Sequence, residues 1–183
     1  MNRKALASMA LLAVACGAGR RPAAAPPSSA ALRHPGILLD DARLDAVKAH
    51  LAAGQEPWTT AMAQLRQSRW ASLDWEARPR AVVECGPYSK PSHGCSEERD
   101  DAVAAYTHAL VFALSGDARH ARKGIEILNA WSAVVTDHTL HNAPLQSAWA
   151  ASIFPRAAEI LRHRGAGWDA AEVARFETML TRV

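Results

Sequence analysis

Apolar side chains recur at helical spacing along most of this chain, and from Leu38 onward the punctuation between them is that of a series of helices. Leu44, Val47 and Leu51 fall on one face of a first helix, which Asp40 or Asp41 can cap and Gly54 ends. Pro57 suits the first turn of a second, which carries Trp58, Met62 and Leu65. The pattern then fades, and irregular structure is expected between about Asp74 and Gly94. Ser96, with Glu97 and Glu98 in the first turn, opens a third helix through Val103, Tyr106, Leu110 and Leu114, and Gly116 closes it.

The fourth helix follows almost without a loop. Asp117 is a natural cap, and Ile125, Leu128 and Val135 mark the inward face, so the third and fourth helices must fold back as an αα-hairpin. A second hairpin repeats the plan. Asn142 or Ala143 precedes Pro144 in the first turn, Leu145, Trp149 and Ile153 share a stripe, Pro155 is expected to kink the rod, and Gly165 terminates it. Asp169, with Glu172 three residues on, caps a sixth helix through Val173, Phe176, Leu180 and Val183. That helix is still in phase at Val183 with no stop signal, which predicts that the domain continues beyond it.

Composition agrees with helix over strand, because Leu, Ile, Val, Ala and Trp dominate the apolar content and runs of β-branched residues are short. The expected fold class is therefore all-α. The formal charge of +3 is small and both signs are interspersed, so nucleic acid is not an expected partner, whereas a mildly positive surface suits an acidic polymer.

The amino terminus reads as an export signal over residues 1–16. Asn2, Arg3 and Lys4 are polar and positive, and Ala5 to Ala15 form an apolar stretch too short to span a bilayer. Leu12-Ala13-Val14-Ala15-Cys16 resembles the lipobox of bacterial lipoproteins, which would place a lipid on Cys16 and tether the protein to a membrane. Ordinary secretory cleavage near Ala23-Ala24-Ala25 is the alternative. Either route exports the chain, to the periplasm or an outer-membrane anchor, and residues 17–33 read as a flexible tether. With Cys16 set aside, Cys85 and Cys95 are an even pair that an oxidising compartment lets join, stapling a loop that holds two prolines and two glycines. A zinc site using Cys85, His93 and Cys95 is the competing reading, and it lacks a fourth ligand.

Several segments together carry a family resemblance. They are His34-Pro35-Gly36-Ile37-Leu38, Cys85-Gly86-Pro87-Tyr88-Ser89 with Gly94-Cys95, and Asp101-Ala102-Val103-Ala104-Ala105-Tyr106-Thr107. Ser115-Gly116-Asp117 then leads to Ile125-Glu126-Ile127-Leu128-Asn129-Ala130-Trp131-Ser132, and Pro144-Leu145-Gln146-Ser147-Ala148-Trp149 precedes Phe154-Pro155-Arg156-Ala157-Ala158-Glu159-Ile160-Leu161. In this order and spacing, residues 34–183 resemble the alginate lyase domain family. The resemblance implies an (α/α) toroid, here incomplete, of antiparallel helix hairpins around a groove for an acidic polysaccharide.

Cleaving a polyuronate by β-elimination requires removal of the C5 proton, so a cation or amide must hold the carboxylate while a Tyr or His acts as base. The resemblance places the catalytic Asn-His pair, and a later Arg and Tyr, in the second half of the toroid, beyond Val183. This chain has no Asn-His dipeptide, since His141-Asn142 runs in reverse, and its tyrosines are Tyr88 and Tyr106. Substrate contacts are expected here instead. The loop with Tyr88, Lys90 and His93 resembles the family's lid, in which Lys90 would meet a carboxylate and Tyr88 a pyranose face. Asn129, Asn142 and Gln146 offer amides, and Trp131 and Trp149 offer indoles, to a groove. Core packing of the tryptophans, capping by Asn142, a solvated Lys90 and a Tyr88 packed under the staple are the competing readings. His108, His120, His138 and His163 show no ligand spacing, so no metal and no cofactor is expected, and Arg156 with Glu159 reads as a structural ion pair. The expected functions are an exported polyuronate lyase, a toroid enzyme acting on another glycan, or a non-catalytic carbohydrate-binding protein.

Overall fold

The computed structural model describes residues 32–182; the export signal, Cys16 and residues 17–31 of the tether lie outside them. Six α-helices follow in the expected order: α1 (Asp41–Ala52), α2 (Trp58–Gln67), α3 (Cys95–Ser115), α4 (Ala118–Val134), α5 (Ala143–His163) and α6 (Ala170–Arg182). Their ends are set by local chemistry. Asp40 accepts from the Arg43 N–H at 2.9 Å, Asp117 from the Arg119 N–H at 3.0 Å, and Asp169 from the Ala171 N–H at 2.8 Å. Gly116, with φ of 75°, ends α3 and donates its N–H to the Phe112 carbonyl at 2.7 Å. α5 runs through Pro155 as one element, from Ala143 to His163.

The fold is mostly helical, but it is not all-α. β1 (Val82–Cys85) pairs antiparallel with β2 (Ser92–His93) and parallel with β3 (Asp137–Thr139), giving the order β2-β1-β3. Val83 stands opposite His138 and Glu84 opposite both His93 and Thr139. Strands this short leave little trace in a helix-rich composition, and β3 comes from a stretch between helices with one β-branched residue at each end, Thr136 and Thr139.

α3 is the central rod, packed along α5 and α4 and touching α1 and α2. Its buried face is largely alanine, at Ala102, Ala104, Ala105, Ala109 and Ala113, which lets its neighbours approach closely. The two-residue turn Gly116-Asp117 folds α4 back against it as the expected hairpin. Gly124 brings α4 close to α5, since a Cβ there would lie 3.0 Å from Leu161 Cδ1 and 3.5 Å from the Ala105 carbonyl. In the second hairpin the helices splay. α5 packs chiefly on α3 and α6 on α4, with an Arg162–Glu177 ion pair across the gap.

Two buried polar clusters hold α3 to its surroundings. The Asp101 carboxylate, fully buried, accepts from Trp75 Nε1 at 2.8 Å, the Arg78 N–H at 2.7 Å and Trp131 Nε1 at 2.7 Å. Trp131 is thereby a core residue and not a groove residue. Burial raises the Asp101 pKa, and the three donors pull against that rise. Two turns of α3 further on, the buried His108 meets His120 with 2.7 Å between their Nδ1 atoms. One of these nitrogens must donate and the other accept, so the pair fits only while an imidazole lone pair is available. Burial lowers the His108 pKa to about 4, with the His120 charge adding to the effect.

Glu98 lies in the first turn of α3 as expected, and its side chain is buried there. α3 begins one residue earlier than Ser96, after Gly94 in the left-handed region, and the Glu98 side chain is 2% exposed. The expected Arg156–Glu159 pair also does not form, because Glu159 turns to His34 and His163.

Two outcomes test this core. Asp101→Ala should destabilise the fold by about 3–5 kcal/mol in urea denaturation, since it strands two indole N–H groups and a backbone N–H. His108 has its folded pKa depressed below the unfolded value near 6.5, so its contribution is present above that value and is lost as pH falls towards about 4. Stability should therefore fall by up to about 3 kcal/mol across this window, and His108→Gln should flatten the dependence; an unchanged slope in the variant would remove His108 as its source.

Candidate functional site

The first turns of α3 and α5 lie side by side beneath the loop joining β1 to β2, and most residues expected at the site gather there. The loop is doubly tied. A disulfide joins Cys85 to Cys95 with the Cα atoms 5.9 Å apart, which uses both sulfurs and excludes the zinc reading. Asn142 closes the other side, its Nδ2 donating to the Gly86 carbonyl at 2.9 Å and its backbone N–H to the Cys85 carbonyl at 2.8 Å. Asn142 makes no side-chain cap to α5. Within the loop the Gly86 N–H reaches the Pro91 carbonyl at 3.0 Å. Only glycine fits at position 86, because a Cβ would fall 2.1 Å from the Lys90 carbonyl oxygen.

These ties push the loop's side chains outward. Tyr88 has a left-handed backbone, with φ of 53°, and is 95% exposed, so it does not pack beneath the disulfide. Lys90 and His93 are exposed beside it. On α5, Trp149 is 42% exposed, and the Arg99 guanidinium of α3 lies 5.2 Å from the centroid of its ring. Of the apolar stripe expected from Leu145, Trp149 and Ile153, the first two lie on the outer edge of α5, and Ile153 is partly buried against the core. The buried face is Gln146, Ala150, Phe154 and Ala157, one residue out of step.

Under this surface runs a buried polar chain. Gln146, 1% exposed, donates through Nε2 to Glu98 Oε2 at 2.7 Å and to the Cys95 carbonyl at 3.0 Å, and its Oε1 accepts from Arg99 Nη1 at 3.2 Å. The other Glu98 oxygen meets His138 Nε2 at 2.9 Å. Gln146 is thereby a framework residue that aims Arg99, and its amide does not face solvent. A cavity of about 20 Å³ beside Glu98, His138, Ser147 and Phe154 has room for a single water, and His138 Nδ1 is buried without a partner among the described residues.

Asn129 does not join this group. Its Oδ1 accepts from Trp168 Nε1 at 3.0 Å, tying α4 to the start of α6. Tyr106 lies further along α3, half-buried, and burial raises its pKa, with the Arg156 charge opposing, so its hydroxyl is not readied as a base.

Comparison of the chain with family models, curated proteins and solved structures finds no match. The alginate-lyase resemblance therefore stands on the order and spacing of the residues alone.

Sequence reasoning missed Glu98, Arg99 and His138. Glu98 and Arg99 carried one available signal. They follow Cys95 by three and four residues, so a helix started by that cysteine must place one of them under the stapled loop. His138 carried none, since its strand pairing is set by a segment 55 residues earlier.

The division between framework and surface is measurable. Gln146→Ala should cost about 2–4 kcal/mol in chemical denaturation, because it leaves a buried carboxylate oxygen short of its donor. Tyr88→Ala should stay within about 0.5 kcal/mol of the parent, and a comparable loss in both would show that the loop packs inward.

Proposed function

We propose that this chain is the substrate-recognising part of an exported polysaccharide lyase acting on an acidic polyuronate such as alginate. One observation carries the reading: a guanidinium, Arg99, is held by a buried amide over a half-exposed indole, Trp149, at the foot of a stapled loop bearing Tyr88, Lys90 and His93. Cations and aromatic faces side by side suit a uronate, which offers a carboxylate and an apolar pyranose face. The family resemblance supports the same substrate class, and with it the placing of the hairpins α3–α4 and α5–α6 as part of an (α/α) toroid. The export signal, with lipidation at Cys16 or ordinary cleavage, would bring the domain to polymers outside the cytoplasm.

In β-elimination the C5 proton goes to a base, the C4–O bond breaks, a C4–C5 double bond forms, and the leaving oxygen takes a proton. Lys90 and Arg99 would neutralise the substrate carboxylate and so ease loss of the C5 proton.

A second reading, a carbohydrate-binding protein without catalysis, is favoured by the state of the tyrosines. Burial raises the Tyr106 pKa, and Tyr88 projects into solvent.

Calorimetric titration with polymannuronate and polyguluronate oligomers separates these readings from their failure. The full chain should bind them more tightly than neutral glucans of the same length. Trp149→Ala and Arg99→Ala should each weaken binding about tenfold, close to 1.4 kcal/mol. Equal affinity for charged and neutral oligomers would reject the polyuronate reading, and no binding to either would reject both. Growth of absorbance from an unsaturated product would select the lyase, and binding without it the non-catalytic protein.

A further inference from the structure

We infer that His34, Glu159 and His163 form a binding site for a divalent cation of the zinc class, which clips the start of the domain to the C-terminal turn of α5. The site is remote from the stapled loop and was not expected from spacing. Glu159 and His163 stand one helical turn apart, and His34 reaches them from a segment 125 residues away in sequence.

The geometry is close to what an ion needs. One ligand atom from each of the three side chains lies within 4.8 Å of the others. His34 Nδ1 is 2.9 Å from Glu159 Oε2, and His163 Nε2 is 3.8 Å from Glu159 Oε1. A tetrahedral zinc with bonds of about 2.0–2.1 Å holds its ligand atoms about 3.3 Å apart, so these spacings straddle the required value. The two imidazoles are stacked, with centroids 4.3 Å apart and planes 14° from parallel, and each turns a nitrogen-bearing edge to the same carboxylate. Rotation of exposed side chains is enough to bring them onto one ion. The His34 and His163 side chains are 38% and 26% exposed, so an ion can enter from solvent and water can complete its shell.

The surroundings leave this carboxylate to the imidazoles. Arg162 pairs with Glu177, and Arg164 with Asp41 and Asp45, so both cations at this end of α5 face other acids. Among the described residues no lysine or arginine pairs with Glu159. Its remaining partner is the Gly36 N–H at 3.0 Å, an outer hydrogen bond of the kind that orients a ligating carboxylate. Two histidines and one carboxylate suit zinc, nickel, copper or cobalt better than calcium or magnesium, which prefer oxygen.

The test is thermal melting of the untagged full chain in a Cys16→Ser background, so that the one cysteine outside the disulfide offers no thiolate, with zinc chloride as the probe. Zinc at about a hundredfold excess over its Kd should raise Tm by about 5–10 °C. His34→Ala and His163→Ala should each abolish the rise while keeping a cooperative melt without metal, and His141→Ala, a solvent-exposed histidine elsewhere, should retain it. Substituting cobalt should give visible absorption bands in the parent that both site variants lose. No rise in the parent, or a full rise in either site variant, would overturn the assignment.

Discussion

The buried carboxylate of Asp101 is the constraint on which the arrangement of the other parts depends. It lies in the second turn of α3 with no exposure to water, and its acceptors are satisfied by two indoles and one backbone amide from separate parts of the chain. A charge or polar group so placed is tolerated only when every partner is present, so the three donors must arrive together. Trp131 then fixes the rotation of α4 against α3. Trp75 and the Arg78 amide fix the path of residues 72–81, and that path delivers β1 to the edge of the helical layer. Lys123 reinforces it by donating to the Trp75 carbonyl at 3.0 Å.

From β1 onward the placement of the candidate site follows. The strand carries Cys85 to Cys95 at the start of α3, and pairs with β3, which brings His138 over Glu98. The polar chain His138–Glu98–Gln146–Arg99 then links strand, α3 and α5 and ends at the surface on Trp149. Framework and surface are thus divided by depth. The amide and carboxylate below are committed to one another, and the guanidinium, the indole and the loop lysine above remain open to a ligand.

The histidines illustrate how position decides what a residue type can do. His108 and His120 face each other inside the α3–α4 hairpin, where burial keeps them short of protons. His34 and His163 stack at the surface with their edges towards one carboxylate, where an imidazole can exchange with solvent and accept an ion. His138 is held by Glu98 alone among the described residues.

The helices and their ends were legible in the sequence because they depend on neighbours within a turn or two. Asp40, Asp117 and Asp169 cap, Gly116 stops a helix, and Leu44, Met62, Val173 and Phe176 mark buried faces at a period that survives any tertiary arrangement. The cysteine pair was legible for a similar reason, since ten residues of proline- and glycine-rich chain bring its ends together. What only the tertiary structure decided is which polar residues are spent inside. Gln146 and Trp149 are one turn apart, and nothing local says that the amide turns inward and the indole outward. That choice belongs to Glu98 and Cys95, 48 and 51 residues away. The small sheet, the Asp101 hub and the His34–Glu159–His163 cluster have the same origin. Each is an interaction between groups far apart in sequence, whose stabilisation exists only once the packing of α3 has brought them together.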